Sequence, residues 1–254
     1  RKAEFMNQDM EWLSVMAEEF SGLEYPKKKI HDSWEITLLN QFHDIIPGSA
    51  IKEVYETSKE QYEEILDNGR KLITRSLLSI GHQIKTTEDS FIVFNPLGFV
   101  RDEIVTVDLP EGWENANVYD GDKLVSTQLS HDGKLLFYGK ALPSKGYKVF
   151  SGKKAPLKQV HTDTVFHQGC EVENDFFDLK IDKNGNIIFL YDKQNERHVI
   201  KPGTKGNLLQ VFEDKPMDFD AWNLEGYYQE KSWEIEDVTE IKLIENGPVR
   251  TGIQ

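Results

Sequence analysis

His43 and Asp44 stand side by side in Trp34-Glu35-Ile36-Thr37-Leu38-Leu39-Asn40-Gln41-Phe42-His43-Asp44-Ile45-Ile46-Pro47-Gly48-Ser49, the stretch whose residue types are best suited to chemistry. An imidazole offers a nitrogen donor to a metal, and a carboxylate offers oxygens to a metal or to a hydroxyl-bearing ligand. The single Cys170 excludes an internal disulfide and any thiolate-rich zinc site, so a metal bound by this chain would rest on His and carboxylates. The plain reading of the same pair is local. A His in the last turn of a helix meets the C-terminal dipole or satisfies a core hydrogen bond, and the Asp caps the next helix. Spacing alone leaves both readings open. A second group with chemical character is Asp214-Lys215-Pro216-Met217-Asp218-Phe219-Asp220-Ala221-Trp222-Asn223, followed by Tyr227-Tyr228. Aromatic faces cover sugar C–H surfaces and carboxylates accept hydroxyl hydrogen bonds, which suits a carbohydrate; an ordinary inter-strand loop has a similar composition.

The elements that must position these groups are helical up to about residue 85. Met6, Met10, Leu13, Ala17 and Phe20 recur at helical steps over residues 3–21, where Ser21-Gly22 ends the pattern; the stripe reads as helix–helix packing. Tyr25-Pro26-Lys27-Lys28-Lys29 reads as a solvated basic connection. The next helix is expected to start at a capping box made by Asp32 and Glu35, and its apolar face carries Ile36, Leu39 and Phe42/His43. Pro47 and Gly48 must stop it within a turn of His43, which places His43 and Asp44 at a helix terminus facing packed material. Ser49 is a candidate cap for a third helix, whose stripe runs from Ile51 to Ile80 before Gly81, a length of roughly 45 Å at 1.5 Å per residue; Asn68-Gly69 is its weak point. Three such helices pack most simply as an antiparallel three-helix bundle over residues 1–85.

Past the polar link Lys85-Thr86-Thr87-Glu88-Asp89 the period changes. Phe91–Phe94, Glu103–Val107, Leu135–Tyr138 and Tyr147–Phe150 are short, β-branched or aromatic, and separated by turn residues, which predicts a small β-sandwich over residues 90–152. A second polar segment runs from Ser151 to about Asp163. Residues 164–254 then read as the front of a larger, truncated β-sandwich, beginning with a hairpin whose arms meet at Asn184-Gly185-Asn186. The fold class is therefore α+β and multidomain.

The whole-chain balance limits the partners. Thirty basic against 44 acidic residues give a net charge of −14, which disfavours nucleic acid and anionic membrane surfaces and leaves a neutral sugar as a more natural ligand. No apolar run approaches the ~20 residues that span a bilayer, and Arg1-Lys2-Ala3-Glu4-Phe5 is not a signal peptide. One cysteine suits a reducing compartment. The chain opens in mid-pattern and reads as cut from something longer.

Asn40-Gln41-Phe42-His43-Asp44-Ile45-Ile46-Pro47-Gly48-Ser49 closely resembles a signature of the alpha-mannosidases of glycoside hydrolase family 38. Phe94-Asn95-Pro96-Leu97-Gly98-Phe99 looks like the start of that family's first β-domain. The hairpin after residue 173 resembles the opening of its large β-sandwich, and Asn246-Gly247-Pro248-Val249-Arg250 resembles another strand of it. The resemblance spans nearly the whole chain. Carried over position by position, it implies that His43 is a zinc ligand and Asp44 a substrate contact. Asp220-Ala221-Trp222 resembles a recurrent family loop, so Asp220 and Trp222 stand beside Asp44 as candidate substrate contacts. The family places its other zinc ligands, its Asp nucleophile and its acid/base carboxylate in an N-terminal α/β barrel. No βα alternation or His-x-Asp pair precedes His43, so no catalytic residue is assigned here, and the piece alone is expected to be inactive and unable to hold zinc tightly. Phe42 before the His and Pro47-Gly48 after it are similar to the cytosolic and bacterial branch, which implies a cytoplasmic protein.

The implied function is the middle and C-terminal portion of a zinc-dependent, retaining alpha-mannosidase acting on mannose-containing oligosaccharides, with the missing barrel of the same protein as its partner. The alternative is a non-catalytic carbohydrate-binding or interaction module built on the β-sandwiches, and a third reading is a structural helical-plus-β adaptor. Linkage preference and oligomeric state are left open, a homo-oligomer included.

Overall fold

The first helix, α1 (Lys2–Ser21), closes where the sequence pattern breaks: Gly22 takes a left-handed conformation (φ 71°) and its N–H turns back to the carbonyl of Glu18. In this computed structural model, which describes residues 1–87, 89–158, 165–167 and 170–254, α1 is followed by α2 (Lys27–Leu39) and α3 (Lys52–Gly81). The first compact unit comprises residues 1–86 together with 215–225.

Contacts along the helices fix their directions. Gln41 reaches Glu4, and Trp34 donates to Glu11, so α2 runs back along α1. Asn40 meets Gln61 and Ser21 meets Ser79, so α3 runs opposite to α2 and along α1. Met10, Ile30 and Leu72, one from each helix, form the apolar centre, with Met6, Tyr25, Trp34 and Ile73 against it. The stripe expected on α1 is buried at Met10, Leu13 and Ala17 and leaves Phe20 exposed.

Three details differ from expectation. Helix α2 starts at Lys27 with no side-chain cap; Asp32 lies inside the helix, where its carboxylate pairs with Lys28 one turn earlier rather than with a terminal N–H. Ser49 does not cap α3, whose N-cap is Ile51; its hydroxyl goes to the Asp44 carbonyl. Gly69 is a contact point rather than a weak spot, because a Cβ there would lie 2.1 Å from the Met6 sulfur. With no side chain at Gly69 the Met6 thioether of α1 lies against α3, and a Cβ there would force that flexible side chain to move.

The second unit comprises residues 87–214 and 226–254. Its first part contains β1 (Ser90–Asn95), β2 (Arg101–Val107), β3 (Ala116–Asp120), β4 (Lys123–Leu124), β5 (Thr127–Leu129), β6 (Leu135–Leu142) and β7 (Gly146–Lys154). They form two antiparallel sheets, β1-β7-β3-β4 and β2-β6-β5, whose facing residues Ala116, Val118, Leu135, Phe137, Leu142 and Phe150 make one core. Asn95 fixes the turn after β1: its amide donates to the Phe99 and Leu142 carbonyls while its Oδ1 accepts the Leu97 N–H. The polar segment expected from Ser151 is shorter, since β7 continues to Lys154; residues 159–164 of that segment, and Glu88 of the earlier link, lie outside the described residues.

The remainder holds β8 (Val165–His167), β9 (Glu171–Glu173), β10 (Phe177–Ile181), β11 (Ile187–Asp192) and β12 (Arg197–His198) in one antiparallel sheet of order β12-β11-β10-β9-β8. The hairpin between β10 and β11 is the one its turn residues predict. Gly185 has φ 78°, and Asp182 Oδ1 accepts the N–H groups of Asn184 and Asn186. Two further antiparallel pairs follow, β13 (Gln210–Phe212) with β14 (Ser232–Glu234) across a long connection, and the hairpin of β15 (Leu243–Asn246) with β16 (Thr251–Ile253). Among the described residues, three α-helices, one short 3-10 helix and several small antiparallel sheets make the chain α+β. Among the described residues no helix is long and apolar enough to cross a membrane.

Candidate functional site

Helix α2 ends earlier than the apolar pattern suggests. The Asn40 amide donates to the Ile36 carbonyl at 2.9 Å, competing for the acceptor that also takes its own backbone N–H, and beyond it the chain tightens into three-residue turns from Gln41 to Leu38 and from Phe42 to Leu39. Pro47 brings no N–H and Gly48 sits at φ 94°, so the helix does not resume. His43 and Asp44 therefore lie on an exposed turn beyond α2. The expectation that they face packed material is overturned: the His43 side chain is 75% exposed and that of Asp44 40%. The exposure also removes the plain reading of His43 as a core residue.

The pair is local and open. His43 Nε2 lies 3.4 Å from Asp44 Oδ2, and the imidazole rests against the Phe42 ring, with centroids 4.2 Å apart. Near it in the chain, Leu38, Leu39, Phe42, Ile46 and Ile51 are exposed apolar side chains. The backbone beneath is tied on three sides. Asn40 Nδ2 donates to Gln61 Oε1 of α3 at 2.7 Å, Gln41 Nε2 to Glu4 Oε1 of α1 at 2.9 Å, and Ala50 N to the Tyr55 hydroxyl at 2.8 Å. None of these ties is visible in the sequence; Tyr55 reads there as one more position on the α3 stripe.

An imidazole and an adjacent carboxylate are the right donor types for zinc, but they are at most two ligands where three or four are usual. The turn thus carries donor types that fit zinc, in too small a number to hold it tightly alone. Asp220 and Trp222 lie on the segment 215–225, which belongs to the same compact unit as His43. Phe219 is at φ 55°, and its carbonyl accepts the N–H groups of Trp222 at 2.7 Å and Asn223 at 2.8 Å, a tight turn that leaves the Trp222 indole and the Asp220 side chain exposed.

Elsewhere among the described residues, His131, Asp132 and Glu245 bring ligand atoms within 4.8 Å of one another. This grouping is a structural junction instead. Glu245 accepts from Arg250 Nε at 2.6 Å and Nη2 at 2.8 Å, and from His131 N at 2.9 Å and Nδ1 at 2.8 Å, which occupies its oxygens and neutralises its charge. Those donors, Arg250 first, hold its carboxyl down at about 2. A cation would have to displace the guanidinium.

Residues 1–80 match the alpha mannosidase middle domain, and residues 172–254 match the glycosyl hydrolases family 38 C-terminal domain. Among curated proteins, the chain is 27% identical over 236 residues to alpha-mannosidase 2C1 of Homo sapiens, covering 91% of this chain and 21% of that protein. It is 28% identical over 256 residues to alpha-mannosidase G of Dictyostelium discoideum, covering 87% of this chain and 23% of that protein. The chain thus spans between a fifth and a quarter of the length of these relatives. In fold it is similar to an alpha-mannosidase from Enterococcus faecalis, with a TM-score of 0.68 and 22% identity over 99% of this chain and 33% of that one.

Proposed function

Because this chain belongs to the alpha-mannosidases of glycoside hydrolase family 38, we propose that it is the middle and C-terminal part of a zinc-dependent, retaining alpha-mannosidase acting on mannose-containing oligosaccharides. The observation that carries the proposal is the His43-Asp44 turn: a solvent-open imidazole and carboxylate in the segment that matches the middle domain, tied down from two helices, with exposed apolar side chains before and after it in the chain. Exposed apolar side chains on both sides of such a turn suit a surface covered by another part of the same protein. The division into residues 1–85, 90–152 and 164–254 is part of the same proposal, its last boundary falling at a residue outside those described.

In this reading His43 donates one neutral imidazole nitrogen to the metal, and Asp44 accepts a hydrogen bond from a sugar hydroxyl. Trp222 offers an apolar face to the ring and Asp220 a further acceptor. Bound zinc would supply Lewis-acid anchoring of sugar hydroxyls, and residues upstream of this chain would supply the nucleophile and the acid/base carboxylate of a two-step displacement. The resemblance to the cytosolic branch supports a cytoplasmic enzyme.

The test is full-length protein carrying His43→Ala. Bound zinc should fall well below one equivalent, and hydrolysis of an aryl α-mannoside should drop by a factor on the order of 100 or more. Parental zinc and activity in that variant would end the assignment.

A further inference from the structure

We propose that Tyr55 is a positioning residue for the His43-Asp44 turn, fixing the place of both side chains through the backbone that carries them; this rests on the zinc-site reading above. The Tyr55 hydroxyl, one turn into α3, accepts the Ala50 N–H at 2.8 Å. It also lies 3.4 Å from both the Asp44 and the Ile45 carbonyls, so its single proton is aimed between them. The Ser49 hydroxyl donates to the same Asp44 carbonyl at 3.3 Å. Two hydroxyls thus converge on the carbonyl of the residue after His43, and one of them closes the turn by holding Ala50.

Packing does not do this job. The His43 side chain is largely exposed, Ile46 and Ile51 are exposed, and a groove of about 280 Å³ opens between the turn and α3, lined by Leu39, Ile45, Val54 and Gln61 among others. With open space beneath it, the turn takes its shape from hydrogen bonds. Those from Asn40 and Gln41 secure the side before His43, and on the side after it the Tyr55 hydroxyl is the side-chain group that reaches from α3. Metal ligands depend on such outer partners for their aim, and losing one typically costs ~10–100-fold in metal affinity or activity.

The experiment is chelator competition for zinc in the full-length protein bearing Tyr55→Phe, with thermal unfolding and aryl α-mannoside kinetics on the same samples. Phenylalanine keeps the ring and removes only the hydroxyl. Zinc affinity and kcat/KM should each fall roughly 10-fold or more while the unfolding midpoint stays within about 2 °C of the parent. A merely structural role would do the reverse, lowering the midpoint and leaving the zinc affinity of the folded protein unchanged. Ser49→Ala should weaken zinc binding in the same direction, and the double variant should be non-additive because both hydroxyls serve one carbonyl. Parental zinc affinity in Tyr55→Phe, with His43→Ala zinc-depleted, overturns the role of Tyr55 and leaves the site standing. Parental zinc in His43→Ala overturns both. If Tyr55→Phe does not accumulate as folded protein, Ser49→Ala decides alone, and unchanged zinc affinity there counts against the proposal.

Discussion

Asn7 is fully buried on α1, and its amide group ties two helices together. Its Nδ2 donates to Thr37 Oγ1 at 3.1 Å, its Oδ1 accepts from Ser33 Oγ at 2.6 Å, and Thr37 in turn donates to the Ser33 carbonyl. The three polar groups satisfy one another away from water, which sets where α2 lies along α1 and so where the turn carrying His43 emerges. Truncating one member strands the others, and a buried group left without its partner costs ~1–3 kcal/mol. Asn7→Ala should lower the unfolding free energy by about that amount in urea titration. Ser14 provides the contrast on the same helix: it is 2% exposed and its hydroxyl finds no hydrogen-bond partner among the described residues. Ser14→Ala should therefore be neutral or stabilising by up to ~1 kcal/mol in the same measurement. A polar-to-alanine change on α1 is expected to change sign according to whether the side chain is bonded.

Among the elements, the last hairpin is the one held mainly by long-range polar contacts. Gln128 of β5 accepts the N–H groups of Val249 and Arg250 and donates to the Arg250 carbonyl, and a Cβ at Gly247 would overlap the Gln128 side chain at 2.4 Å. Glu245, 2% exposed at its side chain, completes the junction with Arg250 and His131. Its carboxyl is held at about 2 against an ordinary 4.5, a depressed value, so its contribution is fully present above pH 4.5 and is lost as the pH falls through about 2. Glu245→Gln should cost ~1–3 kcal/mol near neutrality. The gap between variant and parent should close as unfolding is followed from pH 4.5 down to pH 2; a gap constant over that range would mean the charge is not what holds the hairpin.

The same elements show what is legible in the sequence. The hairpin at Asn184-Gly185-Asn186 and the turn at Asn95 are readable because each is built from neighbours in the chain whose backbone preferences and side-chain bonds are local. The helix starts are not, because Asp32 and Ser49 each have a competing partner, Lys28 and the Asp44 carbonyl, which residue type alone does not rank. Gly69 reads as a flaw because its partner, Met6, sits on another helix. The Gln128 junction joins residues 122 apart, beyond the reach of any periodicity. For the candidate site, the motif points to His43 and Asp44 but not to their exposure, which is set by where Asn40 ends α2, nor to the part of Tyr55.

For the molecule as a whole, the decisive quantity is how many ligands this chain can bring to one ion. The His43-Asp44 turn offers one imidazole and one neighbouring carboxylate, and the His131 cluster is already satisfied by Arg250. Tight zinc sites use three or four protein ligands, and their binding free energy is large because those ligands close around the metal together. The 254-residue chain by itself should therefore hold zinc far more weakly than the full-length protein, by at least a factor on the order of 1,000 in dissociation constant, since even one lost ligand interaction of ~4 kcal/mol corresponds to that ratio. It should hydrolyse no aryl α-mannoside. Zinc titration of both proteins against the same chelator measures the ratio directly. Stoichiometric, tight zinc in the 254-residue chain that survives His43→Ala would point to a metal site built elsewhere in these residues, whereas tight zinc lost in that variant would mean the turn is a more complete site than its two donors imply.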